Sequence, residues 1–162
     1  MVADVSFTLT GAEALSARLE SLTYETKRKG GRSALRKAAQ VIRDRAKEGA
    51  ARLDDEATGR RIADNVAERW DNRRFKSTGD LAFRVGILKG AKIKPGNPDE
   101  GESGPTPHWR LLEFGTEKMQ AQPFMRPAMD QTMGEVAAVF IREYNKAIDR
   151  ALKRAAKTGV KA

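Results

Sequence analysis

Thr106-Pro107-His108-Trp109-Arg110-Leu111-Leu112-Glu113-Phe114-Gly115-Thr116, continued by Glu117-Lys118-Met119-Gln120-Ala121-Gln122-Pro123-Phe124-Met125-Arg126-Pro127-Ala128, holds the only histidine of the chain, one of two tryptophans, two of six phenylalanines and three of six prolines. Rigid backbone and bulky apolar surface are concentrated here. Thr106 reads as an N-cap, Pro107 suits a first helical position, and Gly115 supplies the left-handed residue that closes a helix after Phe114. The spacing therefore predicts a short helix over 107–114. Residues that precede Pro123 and Pro127 are pushed out of the helical region, so 119–125 is expected to be extended. Pro127 then opens a long last helix, about 127–157, with Met129, Met133, Val136, Phe140, Tyr144, Ile148 and Leu152 as its apolar stripe and Gly159 at its end.

Upstream, Ala3, Val5, Phe7 and Leu9 alternate with polar residues and predict a strand over 2–10. Thr10 and Glu13 match a capping box, followed by Leu15, Leu19 and Leu22 at helical spacing. Leu35, Ala38, Ala39, Ile42, Ala46 and Ala50 give a long helix with an alanine-rich stripe, which Gly30-Gly31 is expected to bend or delay. After a turn over 54–59, Ile62, Val66 and Trp70 are spaced by four as in a helix, yet Val66, Glu68 and Trp70 also alternate as in a strand; a single helical turn near 60–64 followed by a strand near 66–75 is the preferred of the two readings. Ser77-Thr78-Gly79-Asp80 reads as a hairpin turn into a second strand carrying Leu81, Phe83, Val85 and Ile87. Residues 89–105, rich in glycine and proline, are expected to form a mobile loop. The length of 162 residues suits a single domain, 1–162, of class α+β: a small antiparallel sheet with a long central helix and a long C-terminal helix.

The formal net charge is +9 with 33% charged and 6% aromatic residues, which favours oligomeric burial or proximity to a polyanion. Lys27, Arg28, Lys29 and Arg32, and Arg150, Lys153, Arg154 and Lys157, are candidate DNA- or partner-facing cations, set against the plainer reading of solvated helix faces. The sequence carries no recognition-helix or RNA-binding signature, so only nonspecific nucleic-acid proximity is expected. No secretory signal is read at the N-terminus, and the longest apolar run, 136–141, is too short to span a bilayer, so a soluble chain without membrane contact is expected.

Candidate chemistry is sparse. The absence of cysteine removes disulfides, thiolate metal sites and thiol nucleophiles. His108 would have to carry any histidine-based acid–base chemistry alone, and beside Trp109 at a helix start it reads as structural. Asp54-Asp55-Glu56 and the set Asp99, Glu100 and Glu102 fall in turns rather than on a convergent scaffold for metals. No Walker loop, Gly-x-Ser-x-Gly elbow or zinc ligand set occurs. The expectation is a protein without catalytic activity, metal or cofactor. A basic nucleic-acid-binding module is the first alternative and a metal-dependent nuclease or hydrolase the second.

Trp109-Arg110-Leu111-Leu112-Glu113-Phe114-Gly115-Thr116, followed by Gln122-Pro123-Phe124-Met125-Arg126-Pro127-Ala128, resembles the HK97 gp10-like family of tailed-phage morphogenesis proteins. Thr58-Gly59-Arg60 fits the same order, whereas Arg60-Arg61-Ile62 departs from the leucine and Ser-Ile pair that the family often shows. The resemblance implies a virion protein of the neck or tail end of a long-tailed phage, made in the bacterial cytoplasm, with a fold related to tail-terminator proteins. It further implies a six- or twelve-fold ring meeting neck, head-closure, tail-terminator or tail-tube proteins. On that likeness Trp109, Glu113, Phe114, Gly115, Thr116, Pro123, Phe124, Arg126 and Pro127 are the assembly residues. Phe114 and Phe124 are expected as a buried packing pair, with Glu113 and Arg126 as polar partners within or between subunits.

Overall fold

The computed structural model describes residues 12–20, 22–54, 61–88 and 106–158. The strand expected over 2–10, the Thr10 cap, turn residues 55–59, the loop 89–105 and Gly159 lie outside the described residues. The fold is α+β and mostly helical. In chain order it comprises α1 (Ala12–Glu20), α2 (Tyr24–Ala51), α3 (Ile62–Asn65), β1 (Val66–Trp70), α4 (Asn72–Thr78), β2 (Phe83–Ile87), α5 (Trp109–Phe114) and α6 (Met125–Thr158). The two strands pair antiparallel, bounded by Asp71 N–H donating to the Ala82 carbonyl and Leu88 N–H donating to the Asn65 carbonyl. Among the described residues no helix is long and apolar enough to cross a membrane.

The chain forms two compact units, and both long helices contribute residues to each. In the first, Leu15, Leu22, Ala34, Tyr144 and Ile148 are buried together, with Leu19, Phe140 and Ala147 against them. Tyr144 donates its hydroxyl to the Lys27 carbonyl at 2.8 Å. Gly30 and Gly31 do not delay the start of α2, which runs unbroken through them from Tyr24. A Cβ at Gly30 would lie 2.9 Å from the Tyr144 ring, and one at Gly31 2.9 Å from Leu81. Close packing thus offsets the cost of about 1 kcal/mol per glycine in a helix. Of the stripe expected on α6, Tyr144 and Ile148 are buried, but Met129 and Leu152 are exposed, while Val139 is buried in addition.

Strand β1 stops at Trp70, short of the expected 75, and the hairpin turn expected over 77–80 is replaced by α4. Asp71 caps that helix by accepting from Arg74 N–H, and Gly79, at φ 79°, ends it. Trp70 packs on Phe75 of α4 and Phe83 of β2, with ring centroids 5.4 and 5.3 Å apart. The helix gives the half-buried tryptophan a second aromatic neighbour in Phe75.

In the second unit the core is Ala46, Ala50, Ile62, Val66, Phe124 and Ala128, flanked by Leu53, Ile87, Trp109 and Leu112. The small side chains of α2 let the Phe124 segment approach, so that a Cβ at Gly49 would meet the Phe124 Cβ at 3.0 Å. Asp54 spends its carboxylate on the N–H groups of Ile62 and Ala63 at 2.7 and 3.2 Å, starting α3. Glu68 receives Arg43 at 2.7 Å and Gln40 at 3.3 Å. Burial works against its ionisation, but hydrogen bonds from Arg43, its own backbone and Gln40 prevail and hold its carboxyl at about 2.

Candidate assembly joint

Helix α5 is positioned at both ends by local backbone chemistry. At its start Trp109 N–H donates to the Thr106 carbonyl, and the His108 carbonyl accepts from Leu111 and Leu112. Thr106 does not cap with its side chain, as the sequence suggested. Its buried hydroxyl instead accepts from Asn65 at 3.1 Å, which ties the segment to α3. At the other end Gly115 N–H donates to the Leu111 carbonyl at 2.8 Å.

Gly115 has φ 73° and ψ −179°, not the left-handed helical pair expected. That region is open essentially to glycine alone. A Cβ there would also stand 2.9 Å from Ala121 N and 3.0 Å from the Met119 carbonyl oxygen. The chain then doubles back through a bridge between Thr116 and Met119, and Gln122 N–H donates to the Leu112 carbonyl at 2.7 Å. The return brings Phe124 beside Glu113.

Glu113 is 2% exposed, and its carboxylate accepts from three consecutive backbone amides: Phe124 at 2.8 Å, Met125 at 3.0 Å and Arg126 at 3.2 Å. An α-helix leaves its first four N–H groups without intrahelical partners. Here three of them go to Glu113, and the fourth does not exist because residue 127 is proline. The first intrahelical bond follows at once, Ala128 N–H to the Phe124 carbonyl. The negative charge also faces the positive end of the α6 dipole. Glu113, eleven to thirteen residues from the amides it caps, and Pro127, the third residue of the helix rather than its first, together start a helix of 34 residues. Proline near the helix start is legible in the sequence, but neither periodicity nor a local capping rule points to Glu113 as the cap.

Arg126 is the partner expected for Glu113: its Nε lies 3.5 Å from the carboxylate, and its guanidinium sits 5.0 Å from the Phe114 ring. Phe124 is buried at 3% exposure, but Phe114 is 63% exposed. The expected buried pair is thus half right. Phe114 follows the inward Glu113 and precedes Gly115, so it turns outward, with Leu111 exposed one turn before it. Trp109 packs on the core, while Thr116 and Pro123 line the surface of the return. Beside Pro123, Phe124 and Pro127, an open cleft of about 210 Å³ is rimmed by Arg45, Arg52 and Gln131.

The candidate cations are distributed differently. Arg28 pairs with Glu25 at 2.8 Å, Lys29 approaches the same carboxylate at 3.9 Å, and the Arg32 guanidinium lies 4.3 Å over the Trp70 ring. Lys27 is half-buried, its carbonyl engaged by Tyr144. On α6, Arg150 donates to the Lys146 carbonyl, and Lys153, Arg154 and Lys157 are exposed. His108 is half-buried at the entry to α5. Among the described residues, no group of three or more His, Cys, Asp or Glu side chains is gathered to hold a metal ion.

Comparison with known families gives a match, over residues 13–115, to the HK97-gp10-like family, described as "Bacteriophage HK97-gp10, putative tail-component". Neither the curated proteins nor the solved structures searched gave a match. The matched span ends at Gly115, so it includes Glu113 and Phe114, while the residues that Glu113 caps lie just beyond it. Covering more than half of the chain, the match shows that this protein belongs to the HK97 gp10-like family of bacteriophage tail components.

Proposed function

We propose that this chain is a structural protein of the head–tail junction or tail end of a long-tailed phage, in which residues 1–162 act as one non-enzymatic module. In this reading, copies close into a six- or twelve-fold ring around the DNA channel and meet neck, head-closure, tail-terminator or tail-tube proteins in the virion. The observation that carries it is the joint at Glu113: a buried carboxylate fixes the start of α6 and leaves Leu111 and Phe114 exposed on a rigid frame. An aromatic held outward on such a frame, with Arg126 over its ring, has little entropy left to lose on docking, which suits an interface anchor. Membership of a tail-component family supports the same direction.

The test combines light scattering with electron microscopy of the purified chain, alone and mixed with tails that lack it. Rings, free or seated on one end of the tail, are expected. A chain that stays monomeric and never joins the tail end overturns the reading.

A further inference from the structure

We propose that the face built by α4 and the first turns of α2 contacts the sugar-phosphate backbone of duplex DNA without regard to sequence. Arg28 and Arg32 stand one helical turn apart on α2. The guanidinium of Arg32 lies 4.3 Å over Trp70 and that of Arg28 lies 5.7 Å from Phe75, while Trp70 itself packs on Phe75. A guanidinium stacked on a ring has a fixed plane; that of Arg32 keeps its N–H edge for two-pronged contact with a phosphate, while Arg28 also donates to Glu25 at 2.8 Å. Because Phe75 belongs to α4, the contact with Arg28 also sets that helix against α2. Its sequence, Asn72-Arg73-Arg74-Phe75-Lys76-Ser77-Thr78, contains three cations and no acid.

The acidic residues on this face are already engaged. Glu25 pairs with Arg28 and Lys29, Asp80 pairs with Arg74, and Asp71 caps α4. Arg32, Arg73 and Lys76 have no acidic partner among the described residues. The face therefore carries a surplus of positive charge spread over two helices. A protein partner would call for an apolar anchor at the centre of the interface. The aromatic rings at the centre here, Trp70 and Phe75, are half-buried and each is flanked by a guanidinium, whereas a phosphate backbone needs only cations presented at intervals. This surface does not depend on the ring reading, since it is defined within one chain.

The experiment is fluorescence anisotropy of the full chain with labelled duplexes of two unrelated sequences over a range of salt. Both duplexes should bind alike. In Arg32→Ala/Arg73→Ala/Lys76→Ala, the slope of log affinity against log salt should shrink by about 2–3, close to one per lost phosphate contact. The equally charged control Arg150→Ala/Lys153→Ala/Lys157→Ala should keep the parent slope, and circular dichroism should give all three proteins the same folded spectrum. Arg32→Lys, which keeps the charge but not the stacked plane, should bind more weakly with an unchanged slope. Equal losses in the two triple variants, no loss in the first, or equally tight binding of polyglutamate would overturn the proposal, the last in favour of an acidic protein partner.

Discussion

Glu113 and Phe124 are joined across a separation of eleven residues by a carboxylate that accepts the Phe124 amide at 2.8 Å, and the same carboxylate takes the next two amides of the chain. A single side chain thereby connects the end of α5 to the start of α6. Glu113→Ala should cost about 2–4 kcal/mol, because buried donors left unsatisfied cost about 1–3 kcal/mol each and fraying recovers part of the loss. Glu113→Gln, with one acceptor oxygen and no charge, should fall between the alanine variant and the parent. Thermal melts of the three proteins measure this, and an alanine variant within about 0.5 kcal/mol of the parent would refute the capping role.

The two phenylalanines of the joint should separate stability from assembly. Phe124→Ala removes a buried ring and should cost about 3–5 kcal/mol. Phe114→Ala removes an exposed one and should stay within about 0.5 kcal/mol by denaturant titration, while impairing ring formation or head–tail joining. Equal destabilisation by both would show that Phe114 is a core residue after all.

Two glycines with similar φ should respond differently to alanine. At Gly79 (φ 79°) nothing lies within 4 Å of an added Cβ, so Gly79→Ala should cost about 1–2 kcal/mol, the ordinary penalty of left-handed backbone. Gly115→Ala should cost more, since its backbone pair adds strain of about 1–3 kcal/mol and the new Cβ meets main-chain atoms that cannot move independently. The ranking of the two melting temperatures is the readout.

Acid should expose the contribution of Glu68. Its carboxyl is held at about 2, below the ordinary 4.5, so the stability it contributes is present above about pH 4.5 and is lost as pH falls towards 2. After allowance for solvent screening this amounts to about 2 kcal/mol. Glu68→Gln should be less stable than the parent by about that amount at pH 7 and should converge with it near pH 2. Parallel stability curves over that range would show that the Arg43–Glu68 pair contributes nothing.

Much of this architecture is legible in the sequence where one rule acts alone. The helical spacing of alanines gives α2, the run from Met133 to Ile148 gives the body of α6, and glycine after Phe114 gives the end of α5. The reading fails where a tertiary contact decides. Trp70 alternates with Glu68 as a strand residue would, but the strand ends there, and the helix that follows brings Phe75 against the Trp70 ring beside Phe83. Asp71 and Gly79, at the cap positions of α4, were the available signal. Gly30-Gly31 reads as a helix breaker until the Tyr144 ring is seen to occupy the space. In the joint, the motif marks the right residues but not their directions: Phe114 faces out because its neighbour Glu113 faces in, and that follows from a capping contact eleven residues away.

Amide-resolved hydrogen exchange at Phe124, Met125 and Arg126 tests the joint most directly. In the parent these three amides should exchange as slowly as amides within α6, although no helical carbonyl is available to them, and in Glu113→Ala they should accelerate by more than about tenfold while amides beyond Thr132 keep their protection. Exchange of the three amides at unprotected rates in the parent, or rates unaffected by removing Glu113, would contradict the account.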